Sequence, residues 1–270
     1  MELKKNILLE ACVETLDQAL LAQKRGANRV EICSHLDLDG LTPSDNLVKN
    51  CIKNLSIPIK VMVRPRKGNF VYSKNELLNI QQKIMYYKSL GIVEVVFGVL
   101  TKENEVDIDE IHKLAETAYP MKVTFHKAID KTKNLFSALE KIKTIPEVNS
   151  ILTSGGKSNA KDGHKIIQRM IDLAEDKIKI IAAGGITDQN FEELHNMIGA
   201  KEYHGKRIVG HLTYYIVFPL EILLLSAVTS VSSLPFLAAN SIPYDCSPNI
   251  FAGFKFVTIT IKFPNKSSGE

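Results

Sequence analysis

The stretch ILLEACVETLDQALLAQKRGANRVEIC, residues 7–33, contains two short apolar segments separated by a segment of helical periodicity. The apolar segments, residues 7–13 and 29–33, have the length of buried strands. The intervening residues 16–24 predict a helix that ends before Gly26. Two strands joined through a helix are parallel neighbours in a sheet, because a tight turn cannot connect parallel strands.

This unit repeats along the chain. The predicted strands are residues 7–13, 29–33, 59–64, 94–100, 121–126, 150–154, 179–183 and 201–204, and the predicted helices are residues 16–24, 43–54, 74–90, 108–118, 135–142, 160–174 and 190–197. Eight strands alternating with helices predict an α/β fold of the TIM-type (β/α)₈ barrel class, with a last helix that is atypical or missing. An open doubly wound sheet is the rival, and its strands are usually apolar on both faces.

Polar side chains recur at alternate positions of five predicted strands, which favours the closed barrel. Alternate residues of a strand lie on the same face, so the apolar set can pack on outer helices while the polar set points inward. The inward pairs are Glu10 and Cys12, Glu31 and Cys33, Arg64 and Arg66, Thr124 and His126, and Glu202 and His204. We expect them near the C-terminal ends of the strands, where barrel enzymes build their sites.

One inward polar residue is readily explained as a core residue whose hydrogen bonds are made within the protein. Polar residues that converge from five strands are not explained in this way. Burying so many ionisable groups costs several kcal/mol each unless they are paired or solvated. A ligand pocket at the C-terminal mouth of the barrel is therefore the economical interpretation.

Composition restricts the class of protein further. The 270 residues carry 34 basic and 30 acidic side chains, and this mixed charge gives no stripe for nucleic acid. The apolar run at the N-terminus is too short for a signal peptide. The four cysteines form no CxxC pair, so reduced thiols in a cytoplasmic protein are expected.

The two arginines predicted on one face are candidates for binding an anion. Arg64 and Arg66 could both address a carboxylate or a phosphate. Pairing with Glu10 or Glu31 is the alternative, and it would hold when no ligand is bound.

Acid–base chemistry is the second possibility for the same pocket. His126, two residues beyond Thr124, is a candidate general acid or base. Glu10 and Glu31 are candidate bases, since crowding and burial raise the pKa of one carboxylate. Asp130 either orients His126 or caps the next helix.

Glycine-rich turns follow the sixth and seventh predicted strands. Ser154 and Gly155 lie in the first turn, and Gly184 and Gly185 in the second. Such turns bind phosphate through backbone N–H groups in many barrels, although short glycine turns are common without a ligand. His204, on the last strand, is expected to reach the same ligand. No lysine is evident at a strand end, which argues against a Schiff-base aldolase.

Several segments carry a family resemblance. They are LLEACVET, GANRVEIC, DGLTPS, VMVRPRKGNFVYS, VFGVLT, VTFHKAID, ILTSGGKS and AAGGITDQN. In order and spacing they resemble the CutC family of copper homeostasis proteins over about residues 7–208. The resemblance implies a cytoplasmic TIM-type barrel that self-associates, and it implies that Cys12 and Cys33 are the cysteines of the proposed copper site.

The residues themselves are compatible with copper. Cys12 and Cys33 are predicted at similar height on adjacent strands, and soft thiolates select Cu(I). His126 or His204 would add a nitrogen ligand. Against this, a free cysteine is often only a small buried apolar residue.

The chain changes character after about residue 210, so we predict a barrel over 1–210 and a divergent apolar tail over 211–270. Only six charged residues occur in the tail, and residues 211–244 contain just Glu221. That length suits a membrane span, but Pro219, Glu221 and Pro235 make one improbable. Residues 254–263 alternate as a strand does.

Two functions follow from these residues. The first is a role in copper homeostasis, with Cu(I) on the cysteines and an anion pocket at the barrel mouth. The second is a metal-independent enzyme that performs acid–base chemistry on a small phosphorylated or carboxylated metabolite. The sequence alone does not decide whether the chain is an enzyme.

Overall fold

The computed structural model of the chain describes residues 7–213 and, by backbone alone, residues 216–219, 248–251 and 254–259. The strands of the first part are β1 Leu8–Val13, β2 Arg29–Ile32, β3 Ile59–Met62, β4 Glu94–Phe97, β5 Lys122–Phe125, β6 Val148–Thr153, β7 Lys179–Ala183 and β8 Glu202–Gly205. The helices are α1 Leu16–Lys24, α2 Asp45–Asn54, α3 Lys74–Ser89, α4 Ile108–Ala118, α5 Leu135–Ile142, α6 Ala160–Ala174 and α7 Phe191–Ile198.

The eight strands form a closed parallel barrel in chain order. β8 pairs with β1, where Glu202 lies opposite Leu8 and His204 opposite Glu10. This closure confirms the TIM-type barrel and excludes the open sheet. Among residues 7–213 no α-helix follows β8, as predicted.

Local sequence signals fix the starts of the helices. Ser73 precedes α3 and forms a capping box with Glu76, in which each side chain bonds the backbone N–H of the other residue. Thr15, Ser44 and Asn159 likewise accept hydrogen bonds from the first turns of α1, α2 and α6.

The main apolar core lies between the barrel and the helices, and it contains the outward residues of the strands, such as Ala11, Val30 and Phe125. A separate apolar cluster contains Cys12, Cys33, Met62 and Val96. The predicted strand phase is therefore confirmed for these residues. A polar layer, described below, lies within the barrel as well.

Five predicted strands extend too far, and those at 29–33 and 150–154 do so by one residue, since they end at Ile32 and Thr153. The predicted strands at 59–64, 94–100 and 121–126 end at Met62, Phe97 and Phe125. Beyond these ends the chain diverges into the loops that build the barrel mouth.

By internal contacts the chain divides into two units, Met1–Leu212 and Thr213–Glu270. In the second unit β9 (Ile216–Pro219), β10 (Pro248–Phe251) and β11 (Phe254–Ile259) form an antiparallel sheet in the order β10-β11-β9. β11 confirms a strand within the alternating segment 254–263. Most of the apolar run 211–244 lies outside the described residues, and the division into barrel and tail domains stays a prediction.

Candidate functional site

A layer of buried ion pairs, called the ion-pair layer below, crosses the barrel interior. Arg29 forms salt bridges to Glu10 and, at 2.7 Å, to Glu202. The Nζ atom of Lys60 lies 2.9 Å from Glu94 and 3.3 Å from Glu10. Lys60 is only 1% exposed, and each charge of these ion pairs has an opposite partner. Pairing of this kind is required because an isolated buried charge would be strongly destabilising.

Hydrogen bonds extend this layer to the sixth strand. Thr124 accepts a hydrogen bond from Lys60 at 2.8 Å, and its hydroxyl lies 2.8 Å from Glu94 and 2.6 Å from Ser150. Thr124 was predicted to bind substrate, but it belongs to this packed layer and does not line the cavity at the barrel mouth.

Glu10 links the ion-pair layer to a cluster of titratable groups above it. Nδ1 of His204 lies 2.7 Å from Glu10 and 3.2 Å from Glu31. One potential ligand atom from each of these three residues lies within 4.8 Å of the others. The Cys33 thiol lies 3.5 Å from Glu31. The structure thus brings together the predicted Glu10, Glu31 and His204.

Cys12 and Cys33 lie beside each other at the floor of the cavity, and both are reduced and buried. A hydrogen bond from the Cys33 thiol lowers the pKa of Cys12 to about 6, with a further contribution from His204 that overcomes burial. The same contact and burial raise the pKa of Cys33. Cys12 is therefore the better thiolate of the pair.

The pKa values of Glu10 and Glu31, the two carboxylates of this cluster, are shifted in opposite directions. Although burial opposes it, Lys60 and Arg29 hold the pKa of Glu10 well below its usual range. Burial raises the pKa of Glu31 to about 8. Against its own burial, His204 has a raised pKa because of Glu31 and Glu10. Glu10, whose pKa is lowered, is therefore the carboxylate that stays charged beside His204 over the wider pH range.

A cavity of about 980 Å³ opens at the C-terminal mouth of the barrel. Seven cationic side chains line it but only four acidic ones, counted over the described residues. Lys157, Lys206 and Arg207 lie on the exposed rim, and Arg64 and His126 lie deeper. This excess of positive charge favours an anionic ligand.

Arg64 forms hydrogen bonds to two loops of the barrel mouth, one after β2 and one after β3. Its Nη1 donates to the carbonyl oxygens of Leu38, Asp39 and Gly40, and its Nη2 donates to Gly68 at 3.2 Å. The prediction that Arg64 pairs with Glu10 or Glu31 is wrong. The cationic partners of Glu10 are Arg29 and Lys60 instead.

His126 is buried against aromatic and backbone neighbours. Its ring lies 4.8 Å from the ring of Phe70, between centroids, and directly over Gly98. Nδ1 accepts a hydrogen bond from the Ala128 amide at 3.3 Å. Burial, reinforced by the charge of Arg64, lowers the pKa of His126 to about 3. The imidazole is therefore neutral at physiological pH.

Asp130 was expected to orient His126 or to cap a helix, and the structure shows neither. Its carboxylate accepts hydrogen bonds from the amides of Ser154 at 3.0 Å and Gly156 at 2.8 Å, and from the Thr153 hydroxyl at 2.5 Å. Lys127 pairs with the same carboxylate at 2.6 Å. Asp130 therefore holds the loop after β6 against the turn after β5.

The two glycine-rich turns pack on one another. Gly184 and Gly185 line the cavity, and a Cβ at Gly184 would lie 3.0 Å from the Cβ of Ser154. Ser154 is fully buried, and Gly155 packs on Gly163 of α6, so neither lines the cavity. Gly155 is needed at its position because a Cβ would lie 2.6 Å from the Gly163 carbonyl oxygen.

Arg66 is not brought to the cavity, so the prediction that it faces inward beside Arg64 is corrected. Its Nε donates to Glu76 at 2.5 Å, and its side chain is 37% exposed. Nη2 donates to the Val71 carbonyl at 2.8 Å. β3 has already ended at Met62, so alternation no longer determines where residue 66 points.

Comparison with known proteins identifies the family of this fold and site. The CutC family matches residues 7–209. The chain belongs to the CutC family. The human copper homeostasis protein cutC homolog is 36% identical over 197 residues, which cover 73% of this chain and 72% of the human protein. The CutC family protein of Photobacterium profundum is 37% identical over 73% of this chain and 80% of its own length. The predicted family resemblance is confirmed.

Solved structures agree with this assignment. The crystal structure of CutC from Streptococcus agalactiae superposes with a TM-score of 0.71 at 30% identity, covering 75% of this chain and 99% of that one. An aldolase named QR15 gives a TM-score of 0.56 at 14% identity, over 85% of this chain and all of its own. The second similarity shows the barrel fold alone.

Sequence reasoning missed Lys60 and Arg29 in this CutC-family barrel. Lys60 has the same strand parity as Met62, so the inward signal was present. Phe70, which contacts both Arg64 and His126, lies in a loop where no periodic signal exists. In the described part of the chain, no helix combines the length and apolarity needed to cross a membrane.

Proposed function

We propose that this CutC-family chain serves copper homeostasis in the cytoplasm by binding one Cu(I) ion between Cys12 and Cys33. The observation that supports it is the adjacency of the two thiols at the cavity floor, with the pKa of Cys12 lowered to about 6. Thiolates are the soft ligands that Cu(I) prefers, and two sulfurs suffice for it. The names of the human relative and of the Streptococcus agalactiae protein, both of which refer to copper homeostasis, point the same way.

The neighbouring carboxylates are poorer candidates for this ion. Glu10 is already paired with Arg29, Lys60 and His204, so a metal would have to displace those partners. Oxygen donors also suit harder ions than Cu(I). His204 interacts with Cys12 and is the nearest source of a nitrogen ligand or of a supporting charge.

The second part of the proposal is an anion pocket above the thiols. The cationic lining of the cavity supports it, together with Gly184 and Gly185 in the turn after β7. We expect the chain to act as a homo-oligomer, as the family resemblance implies.

Anaerobic titration of the reduced full-length protein with Cu(I), in competition with a chromophoric chelator, tests the metal proposal. We expect one ion per chain, and we expect Cys12→Ser together with Cys33→Ser to abolish binding. Cys51→Ala is the matched control, since Cys51 is equally buried but lies in α2, away from the cavity. His204→Ala should weaken binding about 10- to 100-fold. Unchanged affinity in the double cysteine variant overturns the proposal.

A metal-independent enzyme acting on a small carboxylated or phosphorylated metabolite is the second candidate. It is favoured by a specific observation, since Nε2 of His126 is buried and finds no hydrogen-bond partner in residues 7–213. A neutral imidazole beside a cationic arginine suits the polarisation of a substrate oxygen. Metabolite turnover by metal-free protein that persists in the double cysteine variant would support this candidate over the first.

A further inference from the structure

Arg64 brings a positive charge to the cavity that no carboxylate among residues 7–213 balances. It is 5% exposed, and its hydrogen bonds go to backbone carbonyl oxygens, which carry no net charge. Within the described part of the barrel, its Nε has no hydrogen-bond partner. The hydroxyl of Tyr72 lies close to the guanidinium, but a neutral hydroxyl cannot balance a charge. An unbalanced charge at this depth is costly unless a ligand compensates it.

His126 offers a hydrogen-bond donor in the same place. Because Nδ1 accepts from the Ala128 amide, the proton of the neutral imidazole is assigned to Nε2. Nε2 is buried and has no partner among the residues that the structure describes, and His126 is only 3% exposed while lining the cavity. A buried donor of this kind calls for an acceptor.

Phe70 contacts both groups. The guanidinium carbon of Arg64 lies 4.8 Å from the centre of the Phe70 ring, and the His126 ring lies 4.8 Å from the same centre. Both groups therefore contact one aromatic ring and line the same cavity, and the charge of Arg64 acts on His126.

We infer that this corner of the cavity binds the carboxylate group of a small organic ligand, with its charge balanced by Arg64 and one oxygen accepting the Nε2–H of His126. This inference rests on the proposed anion pocket and names the chemical class of its ligand.

The charges favour a carboxylate over a phosphate at this corner. A carboxylate is a monoanion, so the single unbalanced charge of Arg64 neutralises it. Lys127, a partly exposed cation of the same lining, is already paired with Asp130. A phosphate dianion needs more charge and more donors, which Lys157, Lys206 and Arg207 offer only on the exposed rim.

Acetate is the probe, and the full-length protein with ¹⁵N-labelled histidine is the reporter. We expect saturable acetate binding that shifts the Nε2–H resonance of His126. Saturation transfer to the acetate methyl group measures the affinity of each variant. His126→Phe retains the ring but loses the donor, and it should weaken acetate binding about 10- to 100-fold.

Arg66→Ala is the matched arginine control, because Arg66 pairs with Glu76 outside the cavity. It should leave acetate affinity within about twofold, whereas Arg64→Ala should abolish binding. If Arg64→Ala does not fold, His126→Phe still decides the question. Equal acetate affinity in wild type and His126→Phe overturns the inference. So does inorganic phosphate that displaces acetate with comparable affinity and the same dependence on His126.

The outcomes separate this inference from the proposed function. Anion binding that depends on Lys157 and Arg207 but not on His126 leaves the anion pocket standing and removes only the carboxylate corner. No anion binding at all removes both. Cu(I) binding is expected to survive in His126→Phe, and acetate binding is expected to survive in the double variant of Cys12 and Cys33.

Discussion

A Cβ atom at Gly98 would lie 2.7 Å from Nδ1 of His126, so the imidazole ring occupies the space that any side chain at position 98 would need. Gly98 directly follows β4, and His126 directly follows β5, the neighbouring strand. The glycine therefore determines where the imidazole can lie, and with it the direction of the unpartnered Nε2–H.

Gly98→Ala should displace the His126 ring and destabilise the fold. Overpacking of a filled core costs about 1–3 kcal/mol. Chemical denaturation measures this loss, and acetate binding should fall in parallel. In a His126→Ala background the same change should cost clearly less, because the overlapping ring is gone. Additive losses of stability in this double-mutant cycle would show that the His126 ring is not what excludes a side chain at position 98.

Burial of neutral His126 makes stability depend on pH in a definite direction. Its pKa is about 3 in the folded chain, against an ordinary value of 6.5. Between these values the unfolded chain binds a proton that the folded chain does not, so acidification lowers stability by about 1.4 kcal/mol per pH unit. The effect is complete at the folded pKa and absent above about pH 7.

Denaturation midpoints of wild type and His126→Phe across pH 4 to 7 test this sign, with about half-unit steps. The variant should lose less stability on acidification, whereas the same substitution at the exposed His112 should leave the wild-type slope. Parallel curves for wild type and His126→Phe would contradict the assignment of a neutral, buried imidazole.

Strand alternation predicted the inward residues where ladder hydrogen bonds hold the strand. Glu10, Cys12 and Glu31 lie within or beside paired residues of β1 and β2, so their directions follow from the backbone alone. The prediction for Arg66 was wrong because this residue lies beyond the last paired residue of β3, where the loop conformation determines the direction of the side chain.

The partners of the inward residues could not be predicted in the same way. Glu10 lies opposite Arg29 in the β1–β2 register, and that register comes from the stagger of the closed barrel. A single sequence does not specify the stagger, so pairing of Glu10 with Arg64 was as plausible as pairing with Arg29. The roles of Asp130 and Phe70 depend on loop conformations, for which periodicity gives no signal.

Lys60→Met should destabilise the barrel strongly, because it leaves the buried Glu94 without its cation and Glu10 with one partner fewer. Removing one partner of a buried ion pair typically costs about 3–5 kcal/mol. Adding Glu94→Gln should recover part of the loss, since the unpaired charge is then removed. Lys141→Met is the control, because Lys141 pairs with Glu105 at the surface and should matter little. Urea denaturation distinguishes these cases, and equal losses in Lys60→Met and Lys141→Met would contradict the paired layer.

Asp130→Asn should loosen the loop after β6 without altering His126. The carboxylate accepts hydrogen bonds from the Ser154 and Gly156 amides and pairs with Lys127, whereas an asparagine amide turns one acceptor into a donor facing other donors. Hydrogen bonds to a charged group contribute about 1.5–3 kcal/mol, so amide exchange of Ser154 and Gly156 should accelerate by at least about tenfold. Asp107→Asn is the matched control, because Asp107 caps α4 by accepting from Glu110 and asparagine caps equally well. Since Asp130 does not contact the imidazole, the His126 resonances should keep their wild-type positions. Shifted His126 resonances together with unchanged amide exchange of Ser154 and Gly156 would instead show that Asp130 orients His126.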